Sequence, residues 1–333
     1  SGTRLYEIGY DKEGVNSTII SERLNCRVLG LGTEGESEVE MSRNEVLSGI
    51  VTYAKNEYKA EQYGVVVWGH GSGWKGMGKD ETSGGSVMKI SRLGQAVKDK
   101  GLSIIGFDTG FAGNIEVMYE LKEAGQYGIG SSGASPADGW AYGKVFEKFL
   151  ASGKDGESFC VAAIEAYKER YGEMSGSEIT ACKLDKLEEV YEAYEGMSKA
   201  VSEVIGSRPV AENVKEILTR HVREYRNSSY PSDVYVDIKD SAEKIKAKAG
   251  ELTADAGKRQ RIREAADRVV QAVQAAASGG WIEGSGEEGH LGIYLVQKET
   301  AAAEGDVHGE GYMRGSGGVS DKGHYWNKTL VLK

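Results

Sequence analysis

The chain has no long apolar run. Nothing in it approaches the ~18 consecutive apolar residues a membrane-crossing helix needs, so no membrane span is expected. It also lacks an excess of positive charge. Forty-one Lys and Arg stand against 51 Asp and Glu, for a net charge of −10, which argues against a nucleic-acid groove and mildly favours cationic ligands. Cysteine is scarce: Cys26, Cys160 and Cys182, with no CxxC or metal-ligand spacing. Cys160 lies in a helical apolar pattern and Cys182 in a strand-like run, so both read as small buried hydrophobes. No cysteine follows a strand on a glycine-rich turn. The acids Asp80 and Glu81 and the stretch Glu34–Glu40 show no ligand spacing, so no metal is expected. No export leader is recognisable, and Ser1-Gly2 reads as an expression scar.

What the chain does have is the composition of a soluble globular protein. With 39% hydrophobic and 28% charged residues among 333, it can form one large α/β domain with additions, or two domains. Its most informative stretch runs from Gly64 to Gly113. Two apolar runs bounded by glycine, Val65–Trp68 and Leu102–Phe107, read as fully buried parallel strands. The first ends in Gly69-His70-Gly71-Ser72-Gly73-Trp74, the second in Asp108-Thr109-Gly110. Sites in open α/β sheets are built at the carboxyl ends of strands, which puts His70 at one such end and Asp108–Gly110 at the next.

Around this stretch, Thr3–Tyr10 alternates like a strand, and Cys26–Leu31 is a weaker strand candidate. Ser42 with Glu45 suggests a capping box opening a helix that ends near Tyr58 and feeds the His70 strand as a β-α-β unit. Lys75–Met88 has no apolar period and reads as an exposed mobile loop. Helices are expected over Ser91–Lys100, Asn114–Glu123, Trp140–Ala151 and Ser158–Tyr171, and strands over Tyr127–Ser131 and Ile179–Leu184. After Asp185 the pattern turns helical: one long helix, a second from Pro209 through Arg226, a third near Ser241–Ala249 and a fourth near Asp255–Ala277. Val234–Ile238 and His290–Val296 look extended, and Gly305–Asp321 reads as a glycine-rich loop. The expected division is a first domain over 1–184 and a helical subdomain over 185–333 with extended segments returning to the core.

These motifs resemble those of the clostripain-like cysteine peptidases, of the caspase-like clan. The strand ending Trp68-Gly-His70-Gly-Ser-Gly-Trp74 matches the first family motif, and Phe107-Asp108-Thr109-Gly110 with Glu116 matches the second. Ser131, Ser132, Pro136, Gly139, Trp140 and Tyr142 match the third; Tyr235-Val-Asp237-Ile238 and Leu291-Gly-Ile-Tyr294 match two later segments. The resemblance implies a caspase-like α/β/α sandwich with a mostly parallel sheet and a C-terminal helical subdomain. It also implies an endopeptidase cutting after Arg or Lys in peptide or protein substrates, secreted or in a bacterial cell envelope, with no cofactor; calcium enters by family analogy alone. Nothing in the sequence demands more than a monomer.

Residue by residue, the resemblance makes His70 the general base and position 110 the nucleophile. The backbone N–H groups of Gly71 and Gly110 would then serve the oxyanion. It sets Trp74, Ser135 and Trp140 beside the substrate, and Asp108 and Asp138 as the acids a basic side chain would meet. Lys79 and Lys89 are the candidates for self-cleavage. Glycine at 110 removes the attacking sulfur. It fits either a deliberate replacement that keeps the chain uncut or a natural relative that binds peptides without cutting them. Two other matches carry little. Asp108-Thr109-Gly110 also spells the aspartic-peptidase triplet, but that chemistry needs two copies and this chain has one. Gly69-x-Gly71-x-Gly73 lacks the dinucleotide-binding spacing.

Overall fold

The computed structural model describes residues 2–9, 12, 18, 20–35, 37–174, 176–220, 223–226, 234–282 and 290–295. The glycine-rich Gly305–Asp321 lies outside them. In chain order, a short ribbon of β1 (Tyr6–Glu7) and β2 (Glu22–Arg23) precedes α1 (Asn44–Glu57) and β3 (Gly64–Trp68). A hairpin follows, β4 (Met77–Asp80) and β5 (Ser86–Met88), then α2 (Ile90–Val97), β6 (Leu102–Asp108), α3 (Ile115–Glu120) and β7 (Gly125–Gly130). Two helices, α4 (Tyr142–Leu150) and α5 (Gly156–Tyr171), lead to β8 (Glu178–Lys183), and α6 (Leu187–Ser202) and α7 (Arg208–Arg220) follow. The remainder comprises β9 (Glu224–Arg226), β10 (Val234–Asp237), α8 (Ile238–Leu252), α9 (Ala256–Ala276), β11 (Ala277–Ile282) and β12 (Gly292–Tyr294).

The central sheet has the order β11-β8-β7-β6-β3. β3, β6 and β7 are parallel, β8 runs antiparallel to β7, and β11 runs antiparallel to β8. Four of the five strands therefore point the same way, and helices cover both faces. On one face α4 and α5 bury Val145, Phe159, Ala163 and Tyr167 against Ile104, Ile129 and Trp140. On the other, α2, α3 and α6 join Ile105, Phe107, Leu184 and Val190 in a core that continues through α8 and α9. That second core crosses the expected boundary at 184, and β11, from the far side of it, extends the sheet. A small sheet of order β12-β10-β9 lies under the carboxyl ends of β3 and β6.

Several expectations are corrected. Ser42 does not cap α1; Arg43 occupies that position, and the Ser42 hydroxyl bonds Glu40 and Ser86. The chain before α1 pairs as its own ribbon, so the first β-α-β unit of the sheet is β3-α2-β6. Lys75–Met88 is a hairpin, because Met77 and Met88 pair across it and bury themselves in the core. Asp80 closes its turn. One carboxylate oxygen accepts from the amides of Thr82 and Ser83 and the Thr82 hydroxyl, and the other from the amide of Met41. These bonds hold the Asp80 carboxyl below its ordinary range. The helix after Pro209 stops at Arg220, and Glu224–Arg226 is strand.

Candidate active site

The register of β3 on β6 builds the site. Trp68 pairs with Asp108 at the carboxyl ends of the two strands, and the Gly69 amide donates to the Asp108 carbonyl at 3.3 Å. His70 and Gly110 each lie two residues beyond that last pair. The turns then touch. A Cβ on Gly71 would run into the carbonyl oxygen of Gly110 and lie 2.9 Å from Thr109 Oγ1, so only glycine permits this approach. His70 is exposed, and among the described residues its ring has no hydrogen-bond partner. Its own carbonyl is taken by Gly78 N and the Ser72 amide by Gly76 O, which fold the loop back on the hairpin. The amides of Gly71 and Gly110 enter none of the hydrogen bonds among the described residues. Two donors are therefore free beside an accessible imidazole.

Position 110 is held from the other side. Phe111 has φ +62°, a left-handed conformation that costs a non-glycine residue about 1 kcal/mol. Its amide donates to Gly133 O at 2.7 Å, and its ring packs on Tyr235 with centroids 5.3 Å apart. The Gly113 amide bonds Ser131 O at 2.7 Å, and the Ser132 hydroxyl bonds Gly113 O at 2.7 Å. Gly110 itself is not left-handed. A Cβ there would face the 133–135 turn, 3.3 Å from Ser135 N and 3.4 Å from Gly133 O. A cysteine would thus fit after a shift of a few tenths of an ångström.

Asp108 is buried, and its Oδ2 accepts from Trp140 N at 2.8 Å and the Tyr142 hydroxyl at 2.9 Å, while Oδ1 has no partner among the described residues. Burial pushes its carboxyl above the ordinary range, against the pull of those two donors and the charge of Arg170. Gly139, at φ +66°, is the residue that lets the 136–140 turn come this close; a Cβ there would lie 2.5 Å from Asp108 Oδ2 and 3.1 Å from the Trp68 indole nitrogen.

The other expected site residues are spread around this centre. Asp138 has its side chain 78% exposed and pairs with Arg170 at 3.2 Å. Ser135 is half-buried, with no partner for its hydroxyl among the described residues. Trp140 and Trp74 are each 3% exposed. They support the turns from beneath, Trp74 packing on Tyr294 with centroids 5.5 Å apart. Lys79 sits on β4 and Lys89 immediately before α2, both exposed but in ordered chain. All three cysteines are buried; burial raises the Cys160 thiol strongly and pushes the Cys182 thiol up to about 12. Neither is a thiolate at neutral pH. Thr109 is 1% exposed, which removes its hydroxyl from reach. Among the described residues no cluster of His, Cys, Asp and Glu could hold a metal ion, and no helix is long and apolar enough to cross a membrane.

Sequence reasoning gave no site role to four contributors. Trp68, 69% exposed, lays its indole beside Asp108. Tyr235 supports both walls, touching Phe111 and pressing its hydroxyl against Gly73. Glu178 and His290 form a buried pair behind Gly133. The only sequence signal for that pair was a charged residue at the head of each of two apolar runs.

The chain is similar to several known proteins. The chain matches clostripain of Hathewaya histolytica with 23% identity over 175 residues, 46% of this chain and 32% of that protein; the match spans about a third of the length of that relative. Among solved structures, an inactive zymogen C11 protease from Parabacteroides distasonis superposes with a TM-score of 0.60 at 18% identity, covering 99% of this chain and 84% of that one. A secreted C11 cysteine protease from Bacteroides thetaiotaomicron, in complex with an irreversible peptide inhibitor, gives 0.60 at 18% identity, covering 98% and 84%. At these identities the likeness establishes the fold. The family itself follows from a sequence model: residues 8–305 match the clostripain family, peptidase family C11, and the chain belongs to that family of cysteine peptidases.

Proposed function

We propose that this scaffold is that of an endopeptidase cutting after Arg or Lys, with position 110 as the nucleophile and His70 as the base. With Gly110 in place the chain binds such substrates without cutting them. The observation that carries this reading is the pair of unused amides at Gly71 and Gly110, beside the exposed His70 ring and a backbone at 110 that accepts a Cβ. With sulfur at 110, His70 takes the thiol proton and the thiolate adds to the scissile carbonyl. The new oxyanion receives the two amide donors, and the leaving amine takes the proton back from His70. Water then hydrolyses the thioester. Asp108, with one oxygen unclaimed, is the acid that would receive the basic side chain, and Asp138 would add charge at the rim.

The reading uses no cofactor; Asp80, the best-placed acid of the hairpin, is occupied by its turn. Secretion, a monomeric state and self-cleavage after Lys79 or Lys89 belong to the same proposal. Cleavage at either lysine requires the hairpin or the start of α2 to open first.

The test is Gly110→Cys assayed with fluorogenic Arg and Lys peptides. We expect turnover that His70→Ala removes by about a thousandfold. Silence from a folded Gly110→Cys chain would favour the second reading, a peptide-binding module without catalysis, which the glycine itself supports.

A further inference from the structure

The pair Glu178–His290 is 1% and 2% exposed, joined at 2.5 Å, and plays no part in the chemistry above. Its place is specific. Glu178 opens β8, and its Oε1 accepts from the Gly133 amide at 2.6 Å while Oε2 meets His290 Nε2. The Ser131 hydroxyl donates to the Glu178 carbonyl at 2.7 Å, so both ends of the 131–133 segment are tied to one residue. Gly133 in turn offers its carbonyl to Phe111 N at 2.7 Å, and the same oxygen lies 3.4 Å from where a Cβ at 110 would sit. Behind the pair, Tyr225 stacks on His290 with centroids 6.1 Å apart and planes inclined by 25°, and its hydroxyl reaches Asp237 at 3.3 Å. The His290 amide is anchored to Thr180 Oγ1 at 3.2 Å.

We infer that Glu178, locked by His290, is a positioning residue for the nucleophile: it holds the Gly133 peptide so that its carbonyl pins Phe111 in the left-handed conformation and fixes the backbone at 110. A strained φ persists only where its surroundings over-determine it, and the Gly133–Phe111 bond is the direct restraint. The Gly133 amide is buried, so removing its acceptor leaves a costly unpaired donor. Reach decides which variants keep it. Glutamine keeps an acceptor on the Gly133 amide, whereas aspartate, one methylene shorter, cannot span Gly133 and His290 together.

The inference rests on the peptidase reading for its catalytic consequence but not for its geometry, so the test has two arms. In the chain as it stands, hydrogen exchange is followed by mass spectrometry in Glu178→Gln, Glu178→Asp and Glu178→Ala. Exchange over 109–113 and 131–135 should rise by less than about threefold in Gln and about tenfold or more in Asp and Ala, with α8 and α9 unchanged. Glutamine disturbing these turns more than aspartate, or a uniform rise that includes α8 and α9, overturns the inference. The Gln variant, which keeps the shape, supplies the comparison should Ala fail to fold. There, exchange over 131–135 raised tenfold or more also counts against it. In the Gly110→Cys background, Glu178→Gln should lower kcat several-fold at unchanged KM; a change in KM alone would place Glu178 in the substrate pocket instead. An inert Gly110→Cys parent sinks the peptidase reading and leaves the exchange arm to decide this one.

Discussion

The two walls of the site are built in opposite ways. The wall carrying residue 110 is buried and braced. Phe111, Gly113 and Asn114 are each hydrogen-bonded to the 131–133 segment or to one another, and the 139–142 turn hangs on Asp108. The wall carrying His70 is a glycine-rich loop anchored at one end by Trp74 and backed by a two-stranded hairpin, with its imidazole in solvent. On the proposed mechanism the braced wall is the one that would carry the nucleophile, and the less constrained wall the one that would carry the base. The small sheet β9-β10-β12 underlies both walls: Tyr235 touches each, and the Tyr294 amide donates to Glu116 at 2.8 Å. The C-terminal half therefore completes the site.

The largest effect should come from forcing the walls apart. Gly71→Ala places a Cβ into the Gly110 carbonyl. In the Gly110→Cys background it should cost about a hundredfold or more in kcat/KM, measured on Arg peptides, because a displacement near 1 Å is enough to spoil attack geometry. Phe111→Ala should come next. It deletes a buried ring packed on Tyr235 and should cost about 3 kcal/mol of stability, read by denaturant unfolding. An equal loss from changes in the 70–73 loop would erase the contrast between a braced wall and an adaptable one.

Asp108→Asn should act on specificity and on pH together. Its folded carboxyl is raised, so the stability it lends is full below the ordinary range near 3.8 and is lost as pH rises through the folded value. The neutral variant should therefore lose less stability between pH 4 and neutrality, while preference for basic peptides falls at least tenfold. The smallest effect is expected of Asp138→Asn: its side chain is solvent-exposed and already paired with Arg170, and such pairs are worth about 0–1 kcal/mol. A change in kcat/KM above about threefold would move the specificity acid from the floor to the rim.

The floor plan of the site was legible in the sequence because it is local. Each strand is an apolar run ended by glycine, and two parallel neighbours bring their ends together. The hairpin was not legible: its buried positions Met77 and Met88 are isolated among polar residues and carry no period. Strand direction was not legible either, since a fully buried strand such as β8 has the same composition whichever way it runs. Ala277–Ile282 lacks β-branched residues except its last, so β11 left no mark. Glu178 and His290 are 112 residues apart, and only the fold makes them neighbours.

The central claim is that two strand ends set an imidazole opposite the residue at 110. In Gly110→Cys, the rate of alkylation by iodoacetamide as a function of pH tests it most directly, because Cys26, Cys160 and Cys182 are all buried. The account predicts one reactive thiol titrating at least about one unit below 8.5, the usual cysteine value, and returning toward that value in His70→Ala. A thiol that titrates near 8.5 whether or not His70 is present would contradict it.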